Sequence, residues 1–164
     1  IIEDERGYFF ESFNKIDFEA QTEIKTKFIQ DNESKSSRGV LRGLHYQSGA
    51  SAQAKLVRII KGSVLDVCVD LRENSKTFGK YFSILLDDVE KQQLYIPSGF
   101  AHGFLVLEDN TIFTYKCDNL YNKEAECGIA YNDPDLNIDW NFPEDQMILS
   151  FKDKALPTFK SLFK

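Results

Sequence analysis

From Leu65 to Leu71 every second residue is aliphatic: Leu65, Val67, Val69 and Leu71 alternate with Asp66, Cys68 and Asp70. Successive side chains of a strand point to opposite faces, so a period of two specifies a strand and excludes a helix. One face of this strand is expected inside, and the other toward solvent or a second sheet. Gly62, directly after Lys55-Leu56-Val57-Arg58-Ile59-Ile60-Lys61, marks a tight connection into it. Similar short runs recur at Tyr8–Phe13, Lys27–Gln30, Leu41–Gln47, Tyr81–Leu86, Gln92–Ile96, Gly103–Leu107 and Thr111–Lys116. Glu108-Asp109-Asn110 is predicted to close a hairpin between the last two. Helix is scarce: a short one at Asp17–Thr22, a turn at Asp87–Lys91, and loops with one further helix after Phe142. About nine short strands predict an all-β fold in a single domain over 1–164, a barrel or jelly roll with short peripheral helices. The mouth of such a barrel holds one ligand.

Composition narrows the partners. The chain is 42% hydrophobic, with 14 phenylalanines for the interior of a sheet fold, and its composition is that of a folded protein rather than a disordered one. A net charge of −6 argues against nucleic acid and anionic membranes as partners. It leaves room for a small anionic ligand held by a few converging cations. Cys68, Cys117 and Cys127 are odd in number and far apart, which suits neither a disulfide framework nor a zinc site and points to a reducing compartment. No apolar run approaches the length of a membrane span, and Ile1-Ile2 runs straight into Glu3-Asp4-Glu5-Arg6, unlike a secretory signal. The expectation is a cytoplasmic protein.

Chemistry is concentrated in few residues. The only histidines are His45, in Val40-Leu41-Arg42-Gly43-Leu44-His45-Tyr46-Gln47, and His102, in Pro97-Ser98-Gly99-Phe100-Ala101-His102-Gly103. Each reads either as a hydrogen-bonded structural histidine or as an acid–base group; two histidines without a cysteine cluster supply too few ligands for a metal. Tyr115 shares a strand face with Phe113 and Cys117, so it is a core aromatic or a proton donor. Arg42 and Lys55 flank the His45 strand, and Arg suits a diphosphate. Strict alternation puts Arg42 and His45 on opposite faces, so both can reach one pocket only if the strand bulges at Gly43.

Taken in order, Asp4-Glu5-Arg6-Gly7-Tyr8-Phe9-Phe10-Glu11-Ser12-Phe13, Gln30-Asp31-Asn32, Val40–Gln47, Lys55-Leu56-Val57-Arg58, Pro97–Leu107, Tyr115-Lys116, Asn132-Asp133-Pro134-Asp135, Leu149-Ser150 and Lys152-Asp153 resemble the dTDP-4-dehydrorhamnose 3,5-epimerase family over almost the whole chain. The resemblance implies a cupin-type jelly-roll barrel, a homodimer, no metal or other cofactor, and a nucleoside-diphosphate 4-keto sugar in the barrel mouth. It implies His45 as base, Asp153 as the carboxylate that orients it, and Tyr115 as proton donor across the ring. Arg42, Lys55 and His102 correspond to residues that contact the sugar and stabilise an enolate, and Tyr121 to an aromatic beside the substrate. Arg6, Glu11, Gln30, Asn32, Glu126 and Lys152 correspond to nucleotide- or phosphate-holding positions, some supplied by the partner subunit; Gln47, on the face of His45, is added to the substrate-binding set. The sequence departs from the family at Ser48-Gly49-Ala50-Ser51-Ala52, where a proline-rich turn is usual, and at Leu120, often an aromatic. The family's first strand is expected ahead of Ile1.

The implied reaction is inversion at C3 and C5 through an enolate. The alternatives are a C3-only or C5-only epimerase, a 3,4-ketoisomerase, a GDP-linked or heptose substrate, a non-catalytic sugar-binding barrel, and an iron-dependent dioxygenase on the same scaffold.

Overall fold

The computed structural model describes residues 1–163. Its body is two antiparallel sheets facing each other. One has the order β3 (Gln30–Ser36), β10 (Thr111–Cys117), β5 (Lys55–Lys61), β8 (Gln93–Ile96). The other has the order β11 (Glu126–Gly128), β4 (Leu41–Gln47), β9 (Phe100–Val106), β6 (Ser63–Asp70), β7 (Tyr81–Asp87). A separate hairpin, β1 (Ile2–Asp4) with β2 (Gly7–Phe9), precedes them, followed by helix α1 (Lys15–Thr22), whose first turn is capped by the Asn14 side chain. Short helices α2 (Phe151–Lys154) and α3 (Phe159–Leu162) lie near the C-terminal end.

Strands adjacent in sequence often sit in different sheets, which makes this a jelly roll rather than a meander. Gly62, at φ +82°, is the single residue between β5 and β6, and a Cβ there would lie 2.3 Å from Thr111 Oγ1. The predicted hairpin at Glu108–Asn110 is likewise a crossing: β9 pairs with β4 and β6, whereas β10 pairs with β3 and β5. Two further expectations shift. The strand expected at Tyr8–Phe13 ends at Phe9, and the one expected at Lys27–Gln30 begins at Gln30 and runs to Ser36. Strand β3 alternates polar side chains, so hydrophobicity gave no signal for it.

The interior between the sheets is filled by Val57, Ile59 and Phe113 from one side and Val64, Leu86, Phe104 and Val106 from the other. Phe104 and Phe113 stack with their centroids 4.0 Å apart and their planes 3° from parallel. A second cluster covers the outer face of the five-stranded sheet, where Leu41, Leu44, Val67, Val69 and Leu105 meet Ile129, Leu136 and Trp140. Both faces of β6 are therefore buried, and Asp66, Cys68 and Asp70 point inward rather than to solvent. Burial on both sides comes from the C-terminal segment folding back across the sheet, a non-local event that alternation cannot reveal.

Candidate active site

Gly43 sets up the site. The β4–β9 register slips between Arg42 and His45, and Gly43 sits there at φ +119°. A Cβ at this position would lie 2.6 Å from Gly103 Cα and 2.7 Å from the His102 carbonyl, so only glycine fits the close approach of the two strands. The slip changes the facing of everything after it. Leu41 and Leu44, three residues apart, both enter the outer cluster, while Arg42 and His45 both line the barrel mouth.

That mouth is a cavity of about 570 Å³, within the usual range for small-molecule sites. Of the residues singled out in the sequence, Asn32, Arg42, His45, Lys55, His102, Tyr115, Lys152 and Asp153 line it. His45 Nε2 lies 2.6 Å from Asp153 Oδ1. Asp153 is buried and reaches this point on α2, whose first turn is fixed by Ser150 Oγ accepting from the Asp153 backbone N–H. Ile148, two residues before Ser150, is tied to the start of β4 by backbone bonds to Gly39 and Leu41. With Nε2 committed to the carboxylate, the lone pair of a neutral His45 lies on Nδ1, which has no partner among the described residues. Burial pulls the His45 pKa below its ordinary value; Asp153 pulls the other way, and Lys55 and Lys152 add to the lowering. Burial outweighs the carboxylate, so the balance at His45 favours the neutral imidazole.

Tyr115 is half-buried, and burial with the neighbouring Cys117 raises its pKa, so the phenol keeps its proton. Lys55 enters the cavity from β5 with its ammonium 5.8 Å from the Tyr115 ring centre. It has no ion-pair partner among the described residues, and burial lowers its pKa. Arg42 is steadied by Ser36 Oγ, which accepts from Nε and from one terminal NH2. His102 is buried at the cavity floor with Nε2 2.9 Å from Asp66 Oδ2.

Glu126 and Tyr121 sit at the rim rather than in the lining. Glu126 accepts from Lys152 Nζ at 2.5 Å and from the Tyr121 hydroxyl at 2.8 Å. Burial alone would raise the Glu126 pKa, but these two donors outweigh it and the carboxyl lies below its usual value. Gln30 touches Asn32 and accepts from the Tyr121 backbone N–H, so it braces the site.

Three expected contacts are not made within the chain. Gln47 is buried with its Oε1 accepting from the Asn122 N–H. Arg6 is exposed and paired with Asp4 on the projecting hairpin, and Glu11 accepts from Asn14 ahead of α1. Sequence reasoning missed Asp66, Glu33, Ser34, Ile148 and Ser150. Asp66 did carry a signal, an acid at an every-second position of an otherwise apolar strand; Ile148 carried none. Among the described residues no group of three or more His, Cys, Asp or Glu could hold a metal.

A jelly roll with a ligand-sized polar mouth defines a small-molecule-binding barrel of the cupin type. The comparisons specify which. The family model for dTDP-4-dehydrorhamnose 3,5-epimerase matches residues 1–161. The epimerase of that name from Escherichia coli K12 is 52% identical over 98% of this chain and 86% of its own length. The crystal structure of dTDP-4-dehydrorhamnose 3,5-epimerase from Elizabethkingia anophelis NUHP1 is 58% identical with a TM-score of 0.92, covering 97% of this chain and 87% of that one. A dTDP-6-deoxy-D-glucose-3,5-epimerase from Legionella pneumophila, solved with dTDP-4-keto-L-rhamnose, is 48% identical with a TM-score of 0.92, covering 98% and 84%. This chain belongs to the dTDP-4-dehydrorhamnose 3,5-epimerase family.

Proposed function

We propose that the chain inverts C3 and C5 of dTDP-4-dehydro-6-deoxyglucose to give dTDP-4-dehydrorhamnose. The observation that carries the mechanism is the His45–Asp153 pair at the cavity, with Nε2 bound to the carboxylate and Nδ1 without a partner among the described residues. The 4-keto group acidifies the C–H bonds at C3 and C5. Nδ1 of His45 takes one of these protons, and the C–H electron pair moves through the new C=C bond onto the C4 oxygen as an enolate. Lys55, half-buried and without a carboxylate partner among the described residues, stabilises that oxygen together with Arg42 and His102. Tyr115 then delivers its proton to the opposite face of the same carbon, inverting it. The phenolate and imidazolium exchange protons with solvent, and the cycle repeats at the second carbon. A base held neutral and a phenol held protonated are the forms each step needs.

Asn32, Lys152, Glu126 and Tyr121 hold the diphosphate and nucleoside at the rim in this reading. The protein acts as a homodimer in the cytoplasm. Support for the dimer is the exposed apolar surface of Ile2, Tyr8 and Phe9 on the N-terminal hairpin, which also carries Arg6. A second copy docked there brings Arg6 and Glu11 to a rim that they do not reach within their own chain. Support for the reducing compartment is that all three cysteines are free.

The test is proton NMR of dTDP-4-dehydro-6-deoxyglucose with the protein in heavy water. Deuterium at both C3 and C5 is expected; deuterium at C3 alone makes it a single epimerase, and binding without exchange removes the catalytic reading.

A further inference from the structure

The cavity contains a second His–Asp pair, and the reaction above gives its carboxylate, Asp66, no task. Asp66 on β6 and His102 on β9 are diagonal neighbours on the interior face, since Asp66 is opposite Phe104 and Cys68 opposite His102 in the ladder. Asp66 has no exposed surface, and His102 is buried to 6% of its accessible area. Both carboxylate oxygens lie within hydrogen-bond reach of one nitrogen, at 3.1 Å and 2.9 Å from Nε2. Asp66 has no other side-chain donor among the described residues. His102 Nδ1 has no partner either, yet no side-chain nitrogen or oxygen among the described residues is both fully buried and unbonded. Nδ1 is therefore accessible, and the space His102 borders is the cavity.

We propose that Asp66 is a positioning residue for the epimerisation: it keeps a proton on Nε2 of His102, so that Nδ1 is the nitrogen presented to the substrate, and serves as the buried countercharge for an imidazolium that donates from Nδ1 to the enolate oxygen. An aspartate sealed from water without any cation would be costly, and a buried carboxylate is tolerated where a hydrogen-bonded partner can take the opposite charge. Among the described residues His102 is the only bonded candidate. Lys55, which lines the same cavity and feels the Asp66 charge, is the second cation that this carboxylate balances. The other ionisable groups around the cavity are Glu33, Arg42, His45, Tyr115, Lys152 and Asp153, with Cys68 two residues from Asp66 on β6. The catalytic part rests on the epimerase reading; the proton placement does not.

Because the chain has only two histidines, nitrogen-15 NMR of histidine-labelled protein separates them, with His45→Asn confirming the assignment. In the wild-type protein His102 Nε2 is expected to carry a proton. An unprotonated Nε2 would overturn the proposal without reference to activity. Asp66→Asn is expected to shift His102 toward the neutral form or the other tautomer. It should lower kcat by about 10-fold or more, short of the roughly 10²–10³-fold for loss of a whole oxyanion donor. KM should stay within about twofold, because the interaction strengthens only as the enolate forms. In a His102→Gln background, Asp66→Asn should cost nothing further in kcat; an equal loss in both backgrounds would mean that Asp66 acts by another route. If Asp66→Asn does not fold, the wild-type nitrogen shifts and His102→Gln still decide: a protonated Nε2 with a kcat loss on His102→Gln sustains the assignment, and wild-type kcat in His102→Gln ends it. Failure of the epimerase reading looks different: no turnover by the wild-type protein, whatever the tautomer.

Discussion

The two His–Asp pairs of the cavity use the same atoms and are built in opposite ways. Each imidazole gives Nε2 to a carboxylate and leaves Nδ1 without a partner among the described residues. At the floor, Asp66 and His102 are 36 residues apart on adjacent strands of one sheet, both buried. At the mouth, His45 and Asp153 are 108 residues apart, and the carboxylate arrives on a four-residue helix laid across the barrel end. The His45 side chain keeps 29% of its surface exposed, against 6% for His102. The contrast suits the two jobs proposed for them. A base that must collect and release protons needs access to solvent and a neutral resting form. A donor to an oxyanion gains from a sealed, charge-balanced setting, where electrostatic effects are stronger.

The largest effect expected from breaking this contrast is at the mouth. His45→Asn should lower deuterium exchange at C3 and C5 by about 10²–10⁴-fold, the usual contribution of a general base, with an unchanged circular dichroism spectrum. Exchange at the wild-type rate would mean that His45 is not the base. Asp153→Asn should lower the plateau of kcat/KM by about 10²-fold and also move its acid limb. Here the sign is fixed. The base must be neutral, so kcat/KM rises with pH through the His45 pKa, which burial places below the ordinary 6.5. Asp153 raises that pKa, so its loss moves the limb to lower pH; neutralising Lys152, which lowers it, moves the limb to higher pH. A pH–rate series on the three proteins checks the order.

A third prediction concerns the strand that aims His45. Gly43→Ala forces a side chain to φ +119° and against the Gly103 backbone. The backbone conformation alone should cost about 1–3 kcal/mol, read as a drop in the thermal midpoint, and the clash should add to it. A variant as stable as wild type would show that the slip in register survives without glycine. The smallest effect belongs to the rim: Glu126→Gln breaks the pair with Lys152, which is more than half exposed, and should change stability by no more than about 1 kcal/mol. Its kcat should stay near wild type while KM for the nucleotide sugar changes, a split that steady-state kinetics reads directly.

Much of this was legible before any coordinates. The aliphatic alternation of 65–71 located β6 to within two residues, and Leu41–Gln47 and Lys55–Lys61 match β4 and β5 as expected. The conflict between Arg42 and His45 in a regular strand pointed to the irregularity at Gly43 that the β4–β9 register contains. Less legible were the polar strand β3, the three-residue β11 and the inward aim of Asp66. Gln47 was misread because its partner is a backbone N–H in a loop 75 residues away.

What the sequence determined by itself is what one strand knows about its own faces: the period of two, the glycine where the chain must turn or approach closely, and the ordered motifs that mark the family. These follow from backbone geometry and sterics over a few residues. What only the tertiary structure decided is which face meets which. The C-terminal segment buries the second face of β6, turns a polar stripe inward and carries Asp153 to His45. Closing a loop of that length costs only slightly more than closing a short one, so chain separation does not oppose the contact, and packing across the sheet selects it.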